Sequence, residues 1–278
     1  MNFIDTHCHL DATEFGDGQA ALVHDAQAAG VGRIVVPSVA RINFDAVRQL
    51  CGRSPACAPA YGIHPMYTGN ATPGDLDVLH GYLREHHPVA IGEIGLDFFI
   101  EPHDRIRQEY FFVEQLKLAR EFDLPVLLHI RRAQDTVLKH LRQFYGSRGP
   151  STRLRTGPSA ELRTGIAHAF NGSQQQAGEF IKLGFKLGFG GAMTHPRATR
   201  LRELAATLPL SSIVLETDAP DIPPAFLQNG EPNKPEYLPR IAQTLADLRG
   251  MPLEEIAHVT TENACSVLPQ LKQYIAIT

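Results

Sequence analysis

Histidines and carboxylates in this chain gather behind short apolar runs. The first case is Phe3-Ile4-Asp5-Thr6-His7-Cys8-His9, where two β-prone residues lead into a polar stretch. Side chains two apart on a strand share a face, so His7 and His9 can close on one metal ion. A single pair of this kind is more often an ordinary surface or core pair. Five further runs end in the same way: Gly62-Ile63-His64-Pro65, Gly92-Glu93-Ile94-Gly95-Leu96-Asp97, His129 followed by Arg131 and Arg132, His168 followed by Asn171 and Gly172, and Leu215-Glu216-Thr217-Asp218-Ala219-Pro220. So many strand ends carrying a metal-competent residue are not an accident. Imidazole nitrogen and carboxylate oxygen suit zinc, manganese and related divalent ions. Thiolate is absent from the set, because Cys8 falls between the two histidines and faces the other way. A carboxylate can join two cations, and two cations can clamp a scissile phosphate or ester.

The elements that must position these residues follow a rhythm. Short apolar runs start near Phe3, Arg33, Cys57, Val89, Pro125, Gly165, Phe185 and Ser212, as expected of strands buried on both faces. Helical stretches lie between them, roughly over 19–29, 43–51, 75–87, 105–122, 133–145, 173–182, 198–207 and 235–249. Eight strands alternating with eight helices predict a (β/α)8 TIM barrel spanning 1–278 as one domain, with one extra C-terminal helix over Pro252–Leu268. An open doubly wound sheet is the alternative. In a barrel the site forms at the C-terminal strand ends, where these motifs fall. One stretch breaks the rhythm. Gly146–Arg163, with Arg148, Arg153, Arg155 and Arg163, reads as a solvated loop on the opposite side.

Composition narrows the function. The chain has 278 residues, 43% hydrophobic and 20% charged, with a net charge of −4. That balance disfavours broad binding of long duplex, so an anionic substrate would be held locally by metal ions or a small arginine cluster. No apolar run reaches the length of a membrane span. Met1 leads directly into Phe3-Ile4-Asp5 without a secretory pattern, and Cys8, Cys51, Cys57 and Cys265 form no CxxC pair. A cytoplasmic protein with reduced thiols is expected. The oligomeric state stays open, and a monomer is compatible with the sequence.

The motifs around His7, His64, Glu93 and Glu216–Pro220 together resemble the TatD-type metal-dependent hydrolases, deoxyribonuclease-like members of the amidohydrolase-type barrels. The resemblance covers nearly the whole chain. Pro220-Asp221-Ile222-Pro223 and Asn233-Lys234-Pro235 are similar to a bacterial subgroup described only as metal-dependent hydrolases. The resemblance implies two divalent ions, Zn, Mn or Mg. It implies that His7, His9 and Asp218 hold one, that His129 and His168 hold the other, and that Glu93 bridges them. Asp218 would also orient or deprotonate the attacking water, and His64 would face the substrate. Glu216 would stand behind the ligands or pair with an Arg or His. Asp97 is expected to cap a turn. Arg131 and Arg132 would meet a substrate phosphate or pair with Glu93 or Asp97. His195 is expected at the rim, and His24, His80, His86, His87 and His140 on helix surfaces.

Three functions compete. The leading one is hydrolysis of phosphodiester bonds in DNA, at single strands or ends. The second is hydrolysis of a small ester, amide or phosphate ester on the same binuclear site; a barrel using a carboxylated lysine as its bridge would need Lys where Glu93 stands. The third is a nucleic-acid-binding protein with a vestigial metal site, against which the complete ligand set argues.

Overall fold

The structure is a computed structural model that describes residues 2–101, 104–145 and 164–272. The expected basic loop at 146–163 lies outside the described residues.

Among the described residues eight strands follow one another as β1 (Phe3–Asp5), β2 (Val31–Pro37), β3 (Cys57–Tyr61), β4 (Ala90–Asp97), β5 (Val126–Arg131), β6 (Gly165–Ala167), β7 (Lys186–Phe189) and β8 (Ile213–Leu215). Each pairs in parallel with the next, in the order β1 to β8. The circuit is drawn together between its first and last strands by Thr6, whose backbone N–H (3.1 Å) and hydroxyl (3.0 Å) both donate to the Leu215 carbonyl. The helices are α1 (Gln19–Ala28), α2 (Phe44–Arg53), α3 (Pro73–His86), α4 (Arg105–Glu121), α5 (Gln134–Tyr145), α6 (Gln174–Lys182), α7 (Thr199–Thr207), α8 (Leu238–Arg249) and α9 (Leu253–Val267). The chain folds as a (β/α)8 TIM barrel with one further helix, α9.

Local chemistry sets the helix ends. The Asp104 carboxylate accepts from Arg107 N to start α4, and Ser173 and Gln176 cap α6 reciprocally. Gly250, with φ of 62°, ends α8 in the left-handed conformation that glycine adopts without strain.

Two apolar layers follow from the period-two strands. The outer layer lies between sheet and helices and contains Phe44, Tyr61, Phe111, Phe180, Leu238 and Ile241. The inner layer fills the barrel with Ile4, Val35, Ala58, Ala60, Ala90, Leu127, Ile166 and Val214, and α9 joins it through Ala264, Val267 and Leu268. Asn263 on α9 donates to the carbonyls of Leu210 and Ile213, both at 2.8 Å, at the start of β8. The extra helix therefore closes the N-terminal mouth, and the opposite mouth is left to the polar strand ends.

Two details differ from the sequence-based expectation. β4 continues through Asp97, so Glu93 lies within a strand and not after one. His140 is not a free surface residue: its Nε2 stands 2.9 Å from Glu109 Oε2, and its ring meets Phe112 edge-on. Helix periodicity marks the exposed face of α5 but not the neighbouring helix that covers part of it.

Gly95 has a φ of 146°, and a Cβ there would run into the backbone of His129 on β5. Gly95→Ala is expected to destabilise the fold by about 2–4 kcal/mol, combining backbone strain with overpacking. A shift in the midpoint of denaturant unfolding measures it, and an unchanged midpoint would show that β4 and β5 can separate at this point.

Candidate metal centre

The polar strand ends converge at the open mouth. His7 and His9 leave β1 on one face, with their Nε2 atoms 3.3 Å apart. Glu93 comes from β4, and its Oε2 lies 3.1 Å from His7 Nε2 and 3.5 Å from His9 Nε2. Its Oε1 lies 2.9 Å from His129 Nδ1, 3.5 Å from His64 Nε2 and 3.9 Å from His168 Nε2. Asp218 follows β8, with Oδ1 3.8 Å from His7, 3.7 Å from His9 and 3.5 Å from His168. Three groups of metal-competent atoms result: His7, His9 and Asp218; His7, Glu93 and His168; and His64, Glu93 and His129. All the residues singled out from the sequence as ligands thus meet at one place.

Tautomers separate the role of His64 from the others. Its Nδ1 accepts from Met66 N at 3.2 Å, so its neutral ring carries the proton on Nε2. Nε2 then offers a hydrogen bond and not a lone pair, which suits a group that faces substrate. His129 is the reverse case, with Nε2 against Asp97 Oδ2 at 3.0 Å and Nδ1 aimed at Glu93.

Residues behind the centre hold it in place. Asp97 also accepts from Phe99 N (2.8 Å) and Ile100 N (3.2 Å), so it caps the expected turn and orients His129 at once. Glu216 Oε1 accepts from Ala169 N at 2.6 Å and stands 3.1 Å from His168 Nδ1. A Cβ at Gly188 would occupy the space of the Glu216 carboxylate. Asp5 accepts from His7 N, Thr217 N and the Thr217 hydroxyl, which joins the loop after β1, with His7 and His9, to the loop after β8, with Asp218. Buried Asn233 donates to Thr217 O at 2.7 Å and so holds the loop carrying Asp218. Asp218 itself has φ of 58°, a left-handed conformation that Asp tolerates better than most residues. The sequence offered no local signal for Asp5 or Asn233 in these roles, because their partners are distant in the chain. Arg131 and Arg132 stack on Phe99 instead of pairing with Glu93 or Asp97. His195 is an exposed rim residue whose Nε2 lies 2.9 Å from Pro223 O.

Charge is shared unevenly among the rings. His7 and His168 stack at 3.6 Å, so a positive charge on one ring disfavours a positive charge on the other. Burial and the charge on His168 keep His7 well below the ordinary imidazole value. Burial opposes protonation of His168 too, but Glu216, Asp218 and Glu93 outweigh it and lift it to about 10. Burial likewise opposes protonation of His9, and Glu93 and Asp218 lift it to about 9. His64 is lowered to about 4 by burial and the neighbouring His129. Burial would raise Glu93, but the surrounding imidazoles hold it well below the carboxylate range. Asp218 is pushed up by burial to about 6, with His168 and His9 opposing.

Divalent cations fit this arrangement. Ring nitrogens of His7, His9 and His168 and carboxylate oxygens of Glu93 and Asp218 face one another with no apolar spacer, and a protonated ring becomes a ligand by releasing its proton. A tetrahedral ion with ligands at about 2.0–2.1 Å sets those ligands about 3.3–3.4 Å apart, close to several of the separations above. Cys8 does not compete, since burial raises its thiol well above the ordinary value.

Asp97→Asn keeps an acceptor for the turn but loses the carboxylate behind His129. Metal affinity is expected to fall about 10–100-fold in a chelator competition; unchanged affinity would mean that Asp97 serves the turn alone. His9 and His168 sit above the ordinary value of 6.5, so their pairing stabilises the fold fully below that pH and is lost as pH rises through about 9 to 10. Chelator-stripped protein is therefore expected to unfold at progressively lower denaturant across that window. A flat profile would show that these rings are not charged in the stripped protein.

Comparison with known proteins agrees with the geometry. The chain matches the family described as TatD related DNase over residues 4–269. It is 43% identical to the uncharacterized metal-dependent hydrolase YjjV of Escherichia coli K12, over 94% of this chain and 95% of that protein. The crystal structure of a YjjV TatD homologue from E. coli K12 superposes with a TM-score of 0.87 at 40% identity, covering 96% of this chain and 98% of that one. A protein of Erwinia billingiae named 3'-5' ssDNA/RNA exonuclease TatD is 30% identical over 94% of this chain and 96% of its own length. The chain belongs to the TatD-related DNase family and is a metal-dependent hydrolase.

Proposed function

We propose that this chain hydrolyses phosphodiester bonds in DNA, at single strands or ends, with two divalent cations. The observation that carries this is the position of Glu93, whose two oxygens face different sets of imidazoles. One carboxylate shared in this way suits a bridge between two cations. His7, His9 and Asp218 would hold one ion, and His129 and His168 the other. Zn, Mn or Mg would polarise a phosphoryl oxygen and make a nearby water more acidic.

The chain's own residues do the rest. Asp218, whose Oδ1 faces His7, His9 and His168, accepts the proton of the attacking water. His64, neutral with its proton on Nε2, donates to a phosphate oxygen or steadies the leaving group. The exonuclease name of the Erwinia relative supports the substrate class. Cys8, Cys51, Cys57 and Cys265 are free thiols, which suits a cytoplasmic setting, and among the described residues no helix is long and apolar enough to cross a membrane.

The test is hydrolysis of single-stranded DNA by stripped protein reconstituted in turn with magnesium, manganese and zinc. Asp218→Asn, which keeps a side chain tolerant of the left-handed backbone, is expected to lower kcat by about 10²–10⁴ with an unchanged melting temperature. Absence of cleavage with every ion, in protein holding two metals, would move the function to a small ester, amide or phosphate ester.

A further inference from the structure

A second polar cavity of about 460 Å³ opens beside the metal centre. Its described lining includes Phe99, Arg131, Arg132, Ser173 and Arg200, and no carboxylate. Asn171 lines both this cavity and the one that contains Glu216 and Asp218, so the two are neighbours. Arg131 follows His129 by two residues on β5, and Asn171 follows His168 by three.

The three guanidiniums are held without being neutralised. Those of Arg131 and Arg132 stand 3.8 and 4.5 Å from the centre of the Phe99 ring. Arg200 donates to Asn171 Oδ1 at 2.8 Å. Among the described residues none of the three pairs with a carboxylate. Consecutive side chains on a strand point to opposite faces. Arg132 escapes that alternation through a φ of 54°, which lets both arginines reach one ring. Stacking uses the face of a guanidinium and leaves its N–H edge free, and that edge matches two oxygens of a phosphate. Three like charges gathered in a chain of net charge −4 call for an anion.

We propose that this cavity seats a phosphate adjacent to the one being cleaved, so that substrates with consecutive phosphodiesters are preferred over single-phosphate esters. The proposal rests on the phosphodiesterase function above.

The experiment compares metal-loaded wild type, Arg131→Ala/Arg132→Ala/Arg200→Ala, Arg200→Ala alone, and Arg48→Ala as a surface-charge control. Substrates are a short oligothymidylate and bis(p-nitrophenyl) phosphate, and metal content is measured for each variant. In the triple variant, KM for the oligothymidylate is expected to rise at least about tenfold, with a much smaller change for the single-phosphate ester. Arg200→Ala, exposed on α7, should show a smaller change in the same direction if the triple variant folds poorly. Equilibrium binding of the oligothymidylate to metal-loaded Asp218→Asn protein, with and without the three substitutions, is followed against salt. The slope of log affinity against log salt should fall by about 0.7 for each phosphate that the variant no longer holds. Equal loss on both substrates, an oligothymidylate KM in the triple variant like that of Arg48→Ala, or an unchanged salt slope would overturn the phosphate seat. If wild type cleaves neither substrate, the phosphodiesterase function fails, and the binding series alone then decides the cavity.

Discussion

Glu93 is the constraint on which the rest of the structure depends. A carboxylate buried to 2% exposure costs several kcal/mol unless it is paired. Here the partners are imidazoles brought from the ends of β1, β3, β5 and β6. A parallel sheet curled round until its first and last strands meet at Thr6 and Leu215 delivers these strand ends to one point. The same convergence requires small residues where strands approach, and Gly95 and Gly188 meet that need beside His129 and Glu216.

The surrounding network divides into two halves. Asp97 stands behind His129, and Glu216 stands behind His168. Each carboxylate also accepts a backbone N–H, so each ties its ring to a loop. Ring orientation and loop position are therefore not independent. Asp5 and Asn233 extend the principle to the loop after β8, where Asp218 adopts its left-handed backbone.

Much of this was legible in the sequence, and the reason is local. Short apolar runs mark buried strands, and metal-competent residues at the ends of six of the eight mark the site-bearing mouth. That pattern made His7, His9, His64, Glu93, His129, His168 and Asp218 candidates, and the resemblance to the TatD-type hydrolases implied which of them would be ligands. What escaped depends on partners far along the chain: Asp5 meets Thr217, Gly188 makes room for Glu216, and Asn233 reaches back to Thr217. The stacking of Arg131 and Arg132 on Phe99 escaped for another reason, since strand alternation sends consecutive residues apart unless the backbone turns left-handed. The extension of β4 beyond Gly92 was hidden by the polar Glu93 within it.

The charge distribution bears on how an acidic chain would handle the anionic substrate proposed for it. Net charge governs approach over distances comparable to the Debye length, about 8 Å at physiological salt. Within that distance, local groups decide. The imidazoles around Glu93 turn an acidic cluster into a site balanced for cations, while the guanidiniums on Phe99 have no carboxylate partner among the described residues. Cations in the centre would reverse the sign that its carboxylates present to a phosphate. Recognition then needs no broad basic surface, only positive charge concentrated at one mouth of the barrel, with α9 closing the other.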